Sequence, residues 1–83
     1  MAGSVHTAAY MLLLKQLVDA RANAGLSQAQ LAKRIAKPAS FVVKYELGER
    51  RLDVVELLVV LKALGADNAS FISDLNKCIP PQL

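Results

Sequence analysis

Tryptophan is absent from the 83 residues, and the aromatic side chains are only Tyr10, Phe41, Tyr45 and Phe71. No core can be built on so few rings, so the 54% hydrophobic content has to pack as leucine, valine, isoleucine and alanine. Cys78 is the only cysteine, which excludes a disulfide scaffold. With no secretory segment visible, it points to a reducing, cytoplasmic setting. The lone histidine, His6, and the lone thiol have no metal-ligand spacing. Carboxylates do not cluster, and Gly3, Gly25, Gly48 and Gly65 stand apart, so no phosphate-cradling loop is present. These absences predict a protein that is not an enzyme and takes no metal or cofactor. The apolar run from Ala8 to Leu14 stops at Lys15, far short of the ~20 residues that cross a bilayer. No basic region or small-residue cleavage site precedes it, so neither a signal peptide nor a membrane partner is expected.

What the chain does have is one domain's worth of apolar sequence and an uneven charge. Its length fits a single core of thin stability margin. The formal net charge is +3. Between Lys33 and Arg51 lie six basic residues (Lys33, Arg34, Lys37, Lys44, Arg50, Arg51) and two acids, Glu46 and Glu49. The remainder is slightly acidic. Positive charge concentrated in one stretch suits an anionic partner, although a solvated face has the same look.

The hydrophobic period is helical throughout. Tyr10, Leu13, Leu14, Leu17, Val18 and Arg21 share one face of a first helix over about 8–24, which Gly25 closes. Ser27 and Gln30 form a capping box that opens a short second helix at about 28–35, with Leu31, Ala32 and Ile35 apolar. Pro38 suits the start of a third helix running from Ala39 to Leu47 and closed by Gly48, with Val42 and Tyr45 facing inward. The strand propensity of residues 41–45 is set aside because no partner strand exists. Asp53 and Glu56 repeat the capping pattern before a fourth helix from Val54 to Leu64, ended by Gly65. Asp67 and Asn68 open a fifth at about 69–77, with Phe71, Ile72 and Leu75 apolar, and Pro80 and Pro81 forbid its continuation. The expected organisation is a flexible N-terminus over 1–7, an all-α, five-helix domain over 8–77 and a tail over 78–83.

Two short helices joined by a tight turn, the second edged with basic residues, describe a helix-turn-helix. The stretch from Ala24 through Gly25-Leu26-Ser27-Gln28 to Leu31-Ala32, followed by Lys37 to Asp53 with Glu46-Leu47-Gly48, resembles the Cro/repressor-type domain. This is the xenobiotic-response-element (XRE) family of phage and bacterial regulators, with the lambda-repressor-like fold, and the likeness covers roughly residues 10–77. It implies that Gln28 bonds a DNA phosphate and that the third helix enters the major groove. Ala39, Ser40, Val43 and Lys44 would then meet base edges, and Arg50 and Arg51 the flanking phosphates. It also implies an ion pair between Arg21 and Glu46. Chemistry alone adds that Lys44 can reach guanine O6 or N7. Lys37, Arg50 and Arg51 can supply affinity by counterion release.

Three positions depart from the family pattern. Ala36 stands where the turn usually has Gly, and Ala39 and Val43 stand where many relatives carry Gln and Ser. Ala39, Phe41 and Val43 offer bases no hydrogen bond and can only touch thymine methyls, so direct readout rests on Ser40 and Lys44. In the fourth helix, Val54, Leu57, Val60, Leu61 and Leu64 form a full core stripe, and Val55, Leu58 and Val59 form a second apolar stripe beside it. Either the fifth helix covers it or a second copy does; a homodimer is the expectation, since so small a domain can hardly enclose a helix on all sides. The reading is a dimeric, sequence-specific DNA-binding regulator, a repressor, of a prokaryote or phage. The alternative is an antitoxin-like or adaptor module on the same scaffold, whose apolar third helix grips a protein partner.

Overall fold

The computed structural model describes residues 7–82, and within them the chain forms five α-helices and no strand. They are α1 (Ala8–Asn23), α2 (Gln28–Arg34), α3 (Ala39–Glu46), α4 (Val54–Ala63) and α5 (Asn68–Asn76). Each boundary falls within a residue of the sequence expectation, and the reason is local. Thr7, Ser27, Asp53 and Asp67 each accept a hydrogen bond from a first-turn amide, and Ser27–Gln30 and Asp53–Glu56 are complete capping boxes. Pro38 begins α3 without a side-chain cap. Thr7 is therefore a cap and not part of a frayed end; His6 and the rest of 1–6 lie outside the described residues.

The first four helices end alike. The residue past the cap is left-handed, and the next amide reaches back five positions: Leu26 to Arg21 (3.2 Å), Lys37 to Ala32 (2.9 Å), Glu49 to Lys44 (2.9 Å) and Ala66 to Leu61 (3.1 Å). These are Schellman closures, which satisfy carbonyls that the helix leaves unpaired. The left-handed residues are Gly25, Ala36, Gly48 and Gly65, with φ of 73°, 58°, 80° and 70°. At Gly25 and Gly65 an added Cβ would meet nothing within 4 Å, so the torsion and not lack of space selects glycine there. Ala36 takes the same torsion against its Cβ, at a cost of roughly 1–2 kcal/mol. Glycine would remove that strain while costing ~0.5–1 kcal/mol in unfolded-chain entropy. Ala36→Gly is accordingly expected to stabilise the domain by about 0.5–1 kcal/mol, read as a higher urea midpoint at unchanged m-value. A lower midpoint would show that the closure is not strained.

The core takes Leu13, Leu14 and Leu17 from α1, Leu31 and Ala32 from α2, Val42 and Tyr45 from α3, and Val60, Leu61 and Leu64 from α4 and its end. It is aliphatic apart from Tyr45, whose burial holds its hydroxyl neutral well above the ordinary tyrosine range. Fully burying each of the larger aliphatic side chains contributes ~1.5–3 kcal/mol before entropy is counted. α3 packs on both α2 and α1, and α5 leans on α4 through half-buried Phe71 and Leu75.

Two apolar residues of these helices lie outside the core. Val54 is 71% exposed, because burial along α4 begins only a half-turn later, at Glu56 and Leu57. Ile72 is also exposed: α5 covers its neighbours through one side only. The second stripe of α4 splits, with Leu58 half-buried and Val55 and Val59 exposed, so α5 does not cover it within one chain.

Candidate nucleic-acid interface

The helix-turn-helix is fastened from beneath by one polar cluster. Arg21 on α1 donates from Nε to Glu46 Oε2 (2.7 Å) and from Nη2 to Glu46 Oε1 (3.1 Å), a two-pronged pair at the end of α3. Its Nη1 donates to the Leu26 carbonyl (2.9 Å). The side chains are 17% and 6% exposed, so the pair is largely withdrawn from water. The carboxylate of Glu46 holds the Arg21 guanidinium above its ordinary pKa through this hydrogen bond. Gln28, at the start of α2, donates from Nε2 to Glu46 Oε1 (2.8 Å). The family likeness gives Gln28 a phosphate. In the structure its amide faces Glu46, and it locks α2 to α3.

With its inner side fixed, α3 presents Ala39, Ser40 and Lys44 to solvent. Phe41 and Val43 are half-buried and less open to a base edge. Leu47 was missed in the sequence. It is 65% exposed, one turn beyond Lys44 and two beyond Ser40, so helical arithmetic alone places it on that stripe.

The cations around α3 are not equivalent. Arg50 is paired but keeps donors to spare: Nη1 donates to Glu56 Oε1 (3.0 Å) and to the Arg51 carbonyl (2.9 Å), and Nη2 donates to Glu56 Oε2 (2.8 Å). Its guanidinium also lies 4.6 Å from the centre of the Phe41 ring. Lys37 Nζ lies 5.5 Å from the same ring. The bond from Arg50 pulls the Glu56 carboxyl below its ordinary pKa of 4.5, and Glu56 raises Arg50 in turn. The stability this contributes is in place above about pH 4.5 and is lost as pH falls through the lower folded value; the exposure of the pair keeps it small. Arg51 stacks at 4.2 Å over Tyr10, whose Oη accepts from the Leu52 amide (3.1 Å), tying the loop after α3 to α1. Arg34 donates to the Ala63 carbonyl at the end of α4 (3.0 Å).

Beside this surface lies an apolar groove of about 230 Å³, lined by Ile35, Phe41, Val55, Val59 and Val60 with Lys37 and Glu56 among its walls. A roomier cavity, about 420 Å³, lies elsewhere, between the start of α1 and residues 75–82. Among the described residues no three histidine, cysteine, aspartate or glutamate side chains could hold a metal, and no helix is long and apolar enough to cross a membrane.

Comparison with known proteins agrees with the geometry. The family model described as "Helix-turn-helix" matches residues 17–67, from the middle of α1 to the turn after α4. Among solved structures, an XRE-family like protein from Pseudomonas syringae pv. tomato str. DC3000 is similar at 42% identity. The match covers 93% of this chain and 94% of that one, with a TM-score of 0.85. No curated protein matches.

Proposed function

The chain belongs to the XRE-type helix-turn-helix family of DNA-binding transcription regulators, and on that premise we propose that it is a sequence-specific repressor that binds duplex DNA as a homodimer. The observation that carries this reading is the outward stripe of Ser40 and Lys44 on α3, with Lys37 before it and the Arg50–Arg51 loop beyond it. In this reading α3 lies in the major groove, with Ser40 and Lys44 at base edges and Ala39 and Val43 limited to methyl contacts. Lys37 and Arg51 meet phosphates and supply affinity that does not depend on sequence. Arg50 shares its charge with Glu56, so it contributes less to counterion release than Lys37 does. Val55 and Val59, with part of Leu58, join two copies, and a two-fold axis sets two recognition helices ~34 Å apart. The protein works in the cytoplasm of a prokaryote, or of a phage's host, without cofactor and without catalysis.

Binding to a selected site and to a scrambled duplex across a salt series tests the reading. Lys44→Ala is expected to cost roughly 1–3 kcal/mol on the selected site and far less on the scrambled one. Equal losses on both would move Lys44 to a phosphate and leave specificity to DNA shape. The second reading, a protein-interaction module, is favoured by the exposed valines of α4 and the apolar groove beside them. Retention of no duplex, even at low salt, would select it.

A further inference from the structure

Phe41 is one of the apolar residues of α3 that can offer a base no more than contact with a thymine methyl. The structure gives it different company. Its ring is half-buried and stands edge-on to Tyr45, with centroids 5.9 Å apart and planes at 71°, which fixes it to the core side of α3. Two cations lie against it. Lys37 comes from the turn just before α3 and Arg50 from the loop just after it, with centroid distances of 5.5 and 4.6 Å. Arg50 is held there by the two-pronged bond to Glu56, itself fixed by the capping box at the start of α4. A ring face attracts cations, and a guanidinium stacks on it best. One ring thus gathers the charges that flank both ends of the recognition helix.

We propose that Phe41 is a positioning residue for DNA binding: its ring holds Lys37 and Arg50 at fixed places beside the two ends of α3, ready for the phosphate backbone, and it reads no base itself. The role rests on the DNA-binding reading above. Two long basic side chains free in solvent lose rotamer freedom when they dock on phosphates; side chains already settled on a ring lose less. The gain is independent of base sequence, because phosphates are the same everywhere. That separates it from a thymine-methyl contact, which acts only where thymine stands.

The test compares wild type, Phe41→Leu and Phe41→Trp on the selected and scrambled duplexes. Thermal melts run alongside, and NMR reads the Arg50 side-chain Nε–H. Leucine keeps apolar bulk without a ring face; tryptophan restores a stronger one. Phe41→Leu is expected to weaken binding about three- to tenfold, equally on both duplexes, and to move the Arg50 signal downfield as the ring-current shift is lost. Phe41→Trp is expected to recover both. Two results overturn the proposal: a loss confined to the selected site, which makes Phe41 a base contact, and affinity unchanged in Phe41→Leu, even with a lower melting temperature, which makes it only structural. Wild type failing to bind either duplex removes the DNA reading, and this role with it, whatever the Arg50 signal does. Wild type binding while the variant matches it removes this role alone.

Discussion

Arg21→Ala is expected to cost the domain about 2–4 kcal/mol, a large part of the ~5–10 kcal/mol that holds together a chain of this size. The pair is not a surface salt bridge of small worth. Glu46 is 6% exposed and takes two hydrogen bonds from Arg21 and one from Gln28. Removing the guanidinium leaves a buried carboxylate with a single neutral donor, and the cost is that of an uncompensated charge rather than of one lost bond. The Leu26 carbonyl loses its donor as well. Glu46→Ala is expected to fall in the same range, because it strands Arg21 and Gln28 together. Urea melts measure both. The double variant Arg21→Met, Glu46→Leu, which removes both charges and fills the volume, should recover most of the loss. Single variants within 0.5 kcal/mol of wild type would mean that the cluster orders the helices without stabilising them.

The second large effect concerns assembly. Val55→Lys with Val59→Lys is expected to give a folded monomer whose affinity for a two-half-site operator is at least about a hundredfold weaker, since the second half-site then gains nothing from the first. The two positions are one turn apart on α4, 69% and 45% exposed, so lysines there are harmless to a single copy. Between two copies they would have to be desolvated without partners. Leu58, half-buried, is left alone because a lysine there would also disturb the core. Sedimentation of wild type and variant decides. A wild type that stays monomeric at high micromolar concentration gives the valines to some other partner.

Almost all of the fold was legible because its punctuation is local. A cap is a side chain three residues from an amide, and a closure is one left-handed residue. Ser27, Gln30, Asp53, Glu56 and the glycines Gly25, Gly48 and Gly65 therefore announce their helix ends without help from the rest of the chain. The Arg21–Glu46 pair spans 25 positions, and only the family likeness pointed to it. No spacing rule shows that Gln28 completes the pair, or that Glu56 serves both a cap and Arg50. Those contacts exist only once α2, α3 and α4 are packed. Helical period also says which residues share a face and not where along the helix a neighbour begins, which is how Val54 came to be counted in the core. Leu47 was within reach of the same arithmetic that found Ser40 and Lys44, but a leucine at a helix end reads as core when only its type is considered.

α5 has no fully buried side chain and rests on the others through Phe71 and Leu75. Every other helix contributes at least two residues to the interior. Opening α5 alone therefore exposes little apolar surface, and its free-energy cost lies below that of unfolding the whole domain. The α5 amides will trade hydrogen for deuterium through this partial opening. Those of α3, pinned by Val42, Tyr45 and Glu46, must wait for global unfolding. The helix proposed to face DNA thus opens only with the core, and α5 is the part that can detach while the rest stands.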